Sequence, residues 1–406
     1  MPTSPGSLRL LFLSYWSADD PLTTATVLPH LRLLQACEDV AHICVVTIER
    51  DGQSTTDYQL HLPFASPKIV FRPLVSRRRG SVLLTKTEDF TRFPAELAAL
   101  AKEQGCTFLL ARGAPAGSLA YLVWRRTGLP FSVESFEPHG QYMREAGVWS
   151  RFDPRYLLEQ YWEKQQKKYA RFLLPVADNY RQQLISEGVP AERIITVPCS
   201  VDLTAFAYHA AHRRAVRQHL GWPEDAVVGV YAGKFGGIYY NDEAFALFRQ
   251  AADFFGLSFR LLLLTPLPAA AVQDQLVAAG LLPSQTYVAK VPFTEVPHYL
   301  SAADFAFGLH RPTPFVSPIK HGEYWANGLP ILMPDGVGDD SAIVKREGGG
   351  AVFDLTRPDS VDEALQQLRT ILNTQNYRST CEKLAQRYRS TRLAHAAYDL
   401  LLAKIR

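Results

Sequence analysis

Ser317 to Ile331 reads SPIKHGEYWANGLPI and places one carboxylate, Glu323, in an amphipathic stretch bracketed by Pro318 and by Asn327-Gly328. Proline with its fixed φ opens a helix, and an Asn-Gly pair closes one by tolerating a left-handed cap. The first-turn amides of a helix have no partner inside it. The segment Ser317, Pro318, Ile319 and Lys320 therefore suits a phosphate, with the Lys320 ammonium adding charge. About one turn later, the two acceptor oxygens of Glu323 match the two neighbouring hydroxyls of a ribose. These types and spacings suit a nucleotide sugar; the plainer alternative is a capped helix whose Glu and Lys are solvated.

A second locus is Gly233-Lys234-Phe235-Gly236-Gly237, directly after the apolar run AVVGVYA. Amides and an ammonium at the carboxyl end of a strand can face a diphosphate. The spacing is not that of a Walker loop, because the glycines stand too close and no Ser or Thr follows the lysine. The alternative is a glycine turn with a solvated lysine. Neither paired carboxylates, a Ser/His/Asp order nor a metal-ligand cluster stands out, so hydrolase and metalloenzyme readings have little support.

The elements that must position these groups are legible as alternating short apolar runs and helical patterns, the signature of α/β architecture with mostly parallel strands. LRLLFLSYW, HICVVTIE, KIVFRPL, TFLLARG and LPFSVESF read as strands of a first Rossmann-like sheet, with helices expected at Thr23–Cys37, Phe93–Gln104, Ala116–Thr127 and Phe152–Ala170. Pro198 to about Arg217 reads as a connection. AVVGVYAGK, FRLLLLTP, QTYVAKVPF, FAFGLH, LPILMPD and GGAVFDL then mark a second sheet, and Ser360 to Arg406 is helical by pattern. At 406 residues the chain suits two domains. Apolar residues at 47% and charged ones at 20% are globular values, and a net charge of +3 does not call for a nucleic-acid partner. Cys37, Cys44, Cys106, Cys199 and Cys381 form no metal-ligand spacing and are expected as free thiols in a reducing compartment. The apolar runs Leu10–Leu13 and Leu261–Leu264 are far short of the ~20 residues that span a bilayer, and a signal peptide is not evident. The expected location is cytoplasmic.

In order and spacing the second half resembles retaining glycosyltransferases of the GT-B fold, family 4 type (glycosyl transferases group 1). In that family a Glu beside an A-x-G-x-P run, here Ala326-Asn327-Gly328-Leu329-Pro330, binds the nucleotide ribose. VPCSVDLTAF (Val197–Phe206) is similar to the family's V-P-N-G-V-D-x-x-x-F segment that begins the second domain, and VVGVYAGKF (Val227–Phe235) to its next strand and G-R/K turn. VPFTEVPHYLSAADFAFGLH (Val291–His310) is similar to the strand, loop and helix that line the base pocket. The resemblance implies an α/β GT-B fold with two Rossmann-like domains facing across a cleft. The expected divisions are an acceptor domain over residues 1–200, a donor domain over 201–385, and a closing helix over 386–406 that crosses back to the first domain.

It further implies transfer of a sugar from a nucleotide sugar, with retention, to a glycan, lipid-linked or small-molecule acceptor in surface polysaccharide or glycoconjugate synthesis. The nucleotide sugar is a substrate rather than a cofactor, and no metal is expected. Site roles follow from the same resemblance. Glu323 is expected to hold the ribose, and Gly233, Lys234, Ser317, Pro318, Ile319 and Lys320 the diphosphate. Val291 to Phe293 supply backbone contacts to the base. His139, in the Ser-Phe-Glu-Pro-His-Gly stretch that reads as a loop after Glu134, stands where the family places a His on the donor sugar; Glu137 is a weaker candidate.

Three departures qualify this reading. The family's acidic residue eight positions before Glu323 is Phe315 here, and a second diphosphate cation after Lys234 is missing. The first strand-to-helix loop lacks its Gly pair; Thr23, Thr24 and Thr26 are the available substitutes, unless they serve an acceptor loop or an N-cap. Rival readings are a non-catalytic nucleotide-sugar-binding module and a sugar-nucleotide epimerase of similar shape. Arg77–Arg79, Arg125–Arg126 beside Trp124, and Lys164, Lys167 and Lys168 beside Tyr161 and Trp162 form basic and aromatic sets in the first domain. Such sets dock on anionic lipid or are simply solvated faces.

Overall fold

The computed structural model describes residues 8–20, 22–50, 60–62, 64–77, 80–135, 137–145 and 147–406. The chain divides into two compact units, one of Met1–Arg144, Trp149–Pro198 and Arg392–Arg406, the other of Glu145–Val148 and Cys199–Thr391.

The first unit carries strands β1 (Leu8–Ser14), β2 (Val40–Val46), β3 (Ile48–Arg50), β4 (Ile69–Phe71), β5 (Leu74–Ser76), β6 (Phe108–Arg112), β7 (Phe131–Ser135) and β8 (Phe172–Pro175). Among the described residues its main sheet is parallel in the order β4-β2-β1-β6-β7-β8, with β3 and β5 paired separately. Setting that pair aside, the sequence order of the sheet is 3-2-1-4-5-6, the doubly wound arrangement. Helices cover both faces, so the strands are continuous apolar runs rather than alternating ones. Leu10, Leu11, Phe12 and Leu13 are all fully buried. The covering helices are α1 (Leu28–Ala36), α2 (Val82–Glu103), α3 (Ala114–Thr127), α4 (His139–Glu145), α5 (Pro154–Tyr169) and α6 (Asp178–Ser186). The C-terminal helix Thr391–Ile405 adds Ala394, Tyr398, Leu401 and Leu402 to the core formed by Leu10, Phe12, Leu31 and Leu110.

Helix α2 starts eleven residues before the expected Phe93, with Pro94 inside it. Its true start is Ser81, whose hydroxyl accepts a hydrogen bond from Leu84 N at 3.2 Å.

The second unit carries β9 (Val227–Ala232), β10 (Phe259–Leu264), β11 (Thr286–Ala289), β12 (Phe305–Phe307), β13 (Ile331–Pro334) and β14 (Gly350–Phe353). These pair in parallel as β11-β10-β9-β12-β13-β14, the same 3-2-1-4-5-6 order. Its helices are α7 (Ala210–His219), α8 (Asp242–Phe255), α9 (Ala269–Ala278), α10 (Val296–Ser301), α11 (Ile319–Ala326), α12 (Asp340–Glu347), α13 (Ser360–Leu372) and α14 (Tyr377–Tyr388). Helix α7 begins within the stretch expected as a connection, at Ala210. Phe248 and Phe307 meet edge to face at 4.9 Å in the core, and Gly229 on β9 leaves the room they need: a Cβ there would stand 2.7 Å from Phe307 Cε2. In this strand order the connections leave β9 and β12 in opposite directions, which opens a crevice at their carboxyl ends.

Candidate functional site

The crevice of the second unit gathers the residues singled out around Gly233 and Glu323. The β9 ladder continues past Ala232, Gly233 N donating to Leu264 O at 2.8 Å. A Cβ on Gly233 would lie 2.6 Å from the Tyr231 hydroxyl oxygen and 3.2 Å from Lys320 Cε, so only glycine admits both neighbours. The Tyr231 hydroxyl donates to the Lys234 carbonyl. Lys320 is thus packed on the loop that carries Lys234, the first half-buried and the second exposed. Two glycines in the left-handed region, Gly236 (φ 80°) and Gly237 (φ 63°), turn the chain back toward the loop after β12. There Tyr240 N donates to Leu309 O at 2.9 Å and Arg311 N to Ile238 O at 2.9 Å, while the Tyr239 and His310 rings meet edge on at 5.4 Å.

Helix α11 docks against the same strand end. Pro318 is its N-cap, and Asn327 followed by Gly328 (φ 73°) closes it. The Tyr324 hydroxyl accepts from Ala232 N at 2.9 Å. Glu323 is only 5% exposed, and among the described residues its carboxylate has neither a hydrogen-bond nor an ion-pair partner. Burial raises its pKa above the ordinary carboxylate range, partly opposed by the charge of Lys320. Burial, and then the Glu323 charge, pushes the Tyr239 hydroxyl up as well. A largely buried carboxylate whose oxygens the chain leaves unused is free to accept hydrogen bonds from a ligand.

Other expected contacts are placed differently. The Ser317 hydroxyl is taken by the Arg389 guanidinium. Phe293 packs on Phe206 with ring centroids 5.6 Å apart, and the Phe206 carbonyl accepts from Asn327 Nδ2 at 3.0 Å, at the far end of α11 from Lys320. Val291 and Ile319 are partly buried, and so is Phe315 in the loop before α11. Tyr239, Tyr324, Asp340 and Arg389 carry no sequence motif that would have marked them.

In the first unit His139 lies at the start of α4 rather than in a loop. Pro138 opens that helix, its carbonyl accepting from Tyr142 N at 2.9 Å, because a proline before the first turn costs no hydrogen bond. His139 Nδ1 lies 3.0 Å from Glu137 Oε1, and its ring meets Trp149 edge on at 5.6 Å. Burial works against protonation, yet the Glu137 hydrogen bond and charge, with Glu159 and Glu163, win and raise the pKa above the usual histidine value. Glu134 is inside β7, fully buried and ion-paired to Arg112, with His30 Nδ1 3.1 Å away; it accepts from the Tyr398 hydroxyl at 3.0 Å. Burial alone would raise its carboxyl, but Arg112 and His30 bring it down to about 2. It fastens the C-terminal helix. The Thr23 and Thr26 hydroxyls are likewise spent, on Ser17 O at 2.6 Å and Leu22 O at 2.7 Å, while Thr24 is exposed.

Glu163 accepts from Gly140 N at 2.9 Å, and burial raises its pKa from 4.5 to about 7. Between those values the folded chain keeps a proton that the unfolded chain has released, so stability falls as pH rises. Glu163→Gln is expected to flatten melting temperature against pH over this window and to melt above the parent at about pH 8. Equal slopes in the two proteins would show that Glu163 titrates normally.

The basic and aromatic sets divide in two. Trp124 stacks on Tyr169 at 4.7 Å and Trp162 packs on Phe90 at 6.2 Å, so both rings serve internal packing. Phe152 just before α5, at 75%, and Leu157, Leu158 and Tyr161 in its first half stay exposed. Beyond them a groove of about 740 Å³ is lined by Lys164, Lys167, Lys168 and Arg193 among others. Arg77 is exposed; Arg78 and Arg79 lie outside the described residues.

No protein-family model matches the chain, and no curated protein matches it. Solved structures do. HepE of Anabaena in complex with UDP is 13% identical with a TM-score of 0.71, over 98% of this chain and 100% of that one. Sucrose-phosphate synthase from Thermosynechococcus elongatus is 14% identical with a TM-score of 0.73, over 98% of each chain. A UDP-N-acetylglucosamine 2-epimerase is 12% identical with a TM-score of 0.64, over 98% of this chain and 96% of that one. With its two parallel six-stranded sheets, this chain has the GT-B fold, in two Rossmann-like domains.

Proposed function

We propose that this protein is a glycosyltransferase that moves a sugar from a nucleotide-sugar donor to a saccharide, lipid-linked or small-molecule acceptor, with retention and without a metal. The observation that carries this reading is the buried, unpartnered Glu323 carboxylate beside Lys320 at the β9 switch point. Glu323 accepts the ribose hydroxyls. Lys320 and Lys234, with the amides of Ile319 and Lys320, stabilise the diphosphate as its charge grows on departure. Val291 and Pro292 supply backbone contacts to the base. His139 serves the donor sugar as a hydrogen-bond donor, a state that its raised pKa favours. Transfer on the front face lets a phosphate oxygen of the donor take the acceptor proton, so Phe315 in place of a carboxylate leaves the step intact. UDP and UDP-glucose are bound in the HepE structures, which favours a uridine diphosphate sugar here.

A second reading, epimerisation of a sugar nucleotide, draws support from the likeness to the UDP-N-acetylglucosamine 2-epimerase structure. Incubating UDP-, GDP-, ADP- and CMP-sugars with a glycan or lipid-linked acceptor separates the readings. Transfer or hydrolysis frees the nucleotide, epimerisation leaves it attached, and binding without either product identifies a non-catalytic module.

Among the described residues, no helix is long and apolar enough to cross a membrane. The exposed apolar start of α5, followed by Lys164 and Lys168, suits contact with an anionic bilayer that carries a lipid-linked acceptor. The protein should pellet with phosphatidylglycerol vesicles but not phosphatidylcholine ones, and Lys164→Glu with Lys168→Glu should abolish this; pelleting that ignores both lipid charge and substitutions sinks the contact.

A further inference from the structure

Beneath the first turn of α11 lies a buried ionic group with no part in the contacts assigned above. Arg389 follows α14 and lays its side chain across Gly322, where a Cβ would come within 3.0 Å of Arg389 Cγ. Its guanidinium forks, donating to the Ser317 hydroxyl just before α11 and to Asp340 at the start of α12. The other Asp340 oxygen lies 2.7 Å from His321 Nδ1, in the first turn of α11. All three charged or titratable side chains are at most 4% exposed. Burial alone would raise the Asp340 carboxyl, yet Arg389 and His321 hold it below the ordinary carboxylate range. The next loop is pressed onto the same segment: Gly338 N donates to Thr313 O at 2.8 Å, and a Cβ on Gly338 would overlap the Val316 carbonyl.

The group grips α11 before its start, within its first turn and under Gly322, and leaves Lys320 and Glu323 outside the grip. Apolar side chains of similar volume would often fill such a space at no loss of stability, so burying these ions calls for another reason. We propose that Arg389, braced by Asp340 and His321, is a positioning residue that sets the angle of the Ser317–Lys320 turn so that its amides and the Lys320 ammonium converge on a diphosphate. This inference rests on the donor-site reading above. A bidentate, planar guanidinium fixes direction as well as distance, which an ammonium does not.

The test is affinity for the nucleoside diphosphate that the intact protein prefers among UDP, GDP and ADP, set beside affinity for its parent nucleoside, by calorimetry and ligand-observed NMR. Arg389→Lys and Ser317→Ala, the latter removing a single hydroxyl, are expected to weaken diphosphate binding about tenfold or more, since small misplacements of a binding group are costly. Nucleoside binding should stay at the parental value. Equal losses for both ligands would make the network a general support of the fold and overturn the proposal, as would unchanged diphosphate binding in both variants. A parent protein that binds none of the three diphosphates would instead sink the donor-site reading, and this inference with it.

Discussion

Lys320→Ala is expected to lower turnover of the donor by about 10²–10³-fold while shifting the melting temperature by only a few degrees. The Lys320 stem packs on Gly233 and its ammonium has no ion-pair partner among the described residues, so the fold loses little when it goes. The leaving diphosphate loses a cation held in a partly desolvated site, where charge is worth more than in water. Lys234→Ala should cost less, because an exposed ammonium is screened by solvent. Steady-state rates with a labelled donor decide this. Parental turnover in both variants would remove the lysines from the phosphate site.

Glu323→Ala is expected to weaken donor binding by about 3 kcal/mol, roughly a hundredfold, through loss of two charge-assisted hydrogen bonds to ribose in a buried site. Glu323→Gln separates function from folding. Burial raises the Glu323 pKa, so the folded chain holds the proton more tightly than the unfolded chain, and ionisation at neutral pH costs stability. The glutamine variant should melt above the parent at neutral pH and bind donor more weakly. Donor affinity of the parent should also fall on acidification at a higher pH than an ordinary carboxylate would dictate, since the ionised form is the acceptor. Calorimetry across pH, read beside melting curves, tests all three expectations. Undiminished donor affinity in a folded alanine variant would take Glu323 out of the site.

Much of the fold was legible because its signals are local. Continuous apolar runs mark strands covered on both faces, and Leu10–Leu13 and Leu261–Leu264 are such runs. Pro318 and Asn327-Gly328 act on their own φ angles, so the ends of α11 could be read without knowing its neighbours. Local signals also misled. Pro94 and Pro138 carry the same punctuation, yet one sits inside α2, whose cap is Ser81, and the other opens α4 and draws His139 out of a loop. The residue types at Gly233, Lys234, Lys320 and Glu323, their order, and the parallel α/β class could be read from local pattern. The tertiary structure alone decided that Lys320 Cε packs on Gly233, that the Glu323 carboxylate is left without a partner, and that Arg389 reaches Asp340 and Ser317, 49 and 72 residues away. The reason is physical: propensities and caps depend on a few neighbouring φ and ψ angles. Burial, close approach and ion pairing depend on which strand ends the doubly wound order brings together, and that order is set by long-range packing.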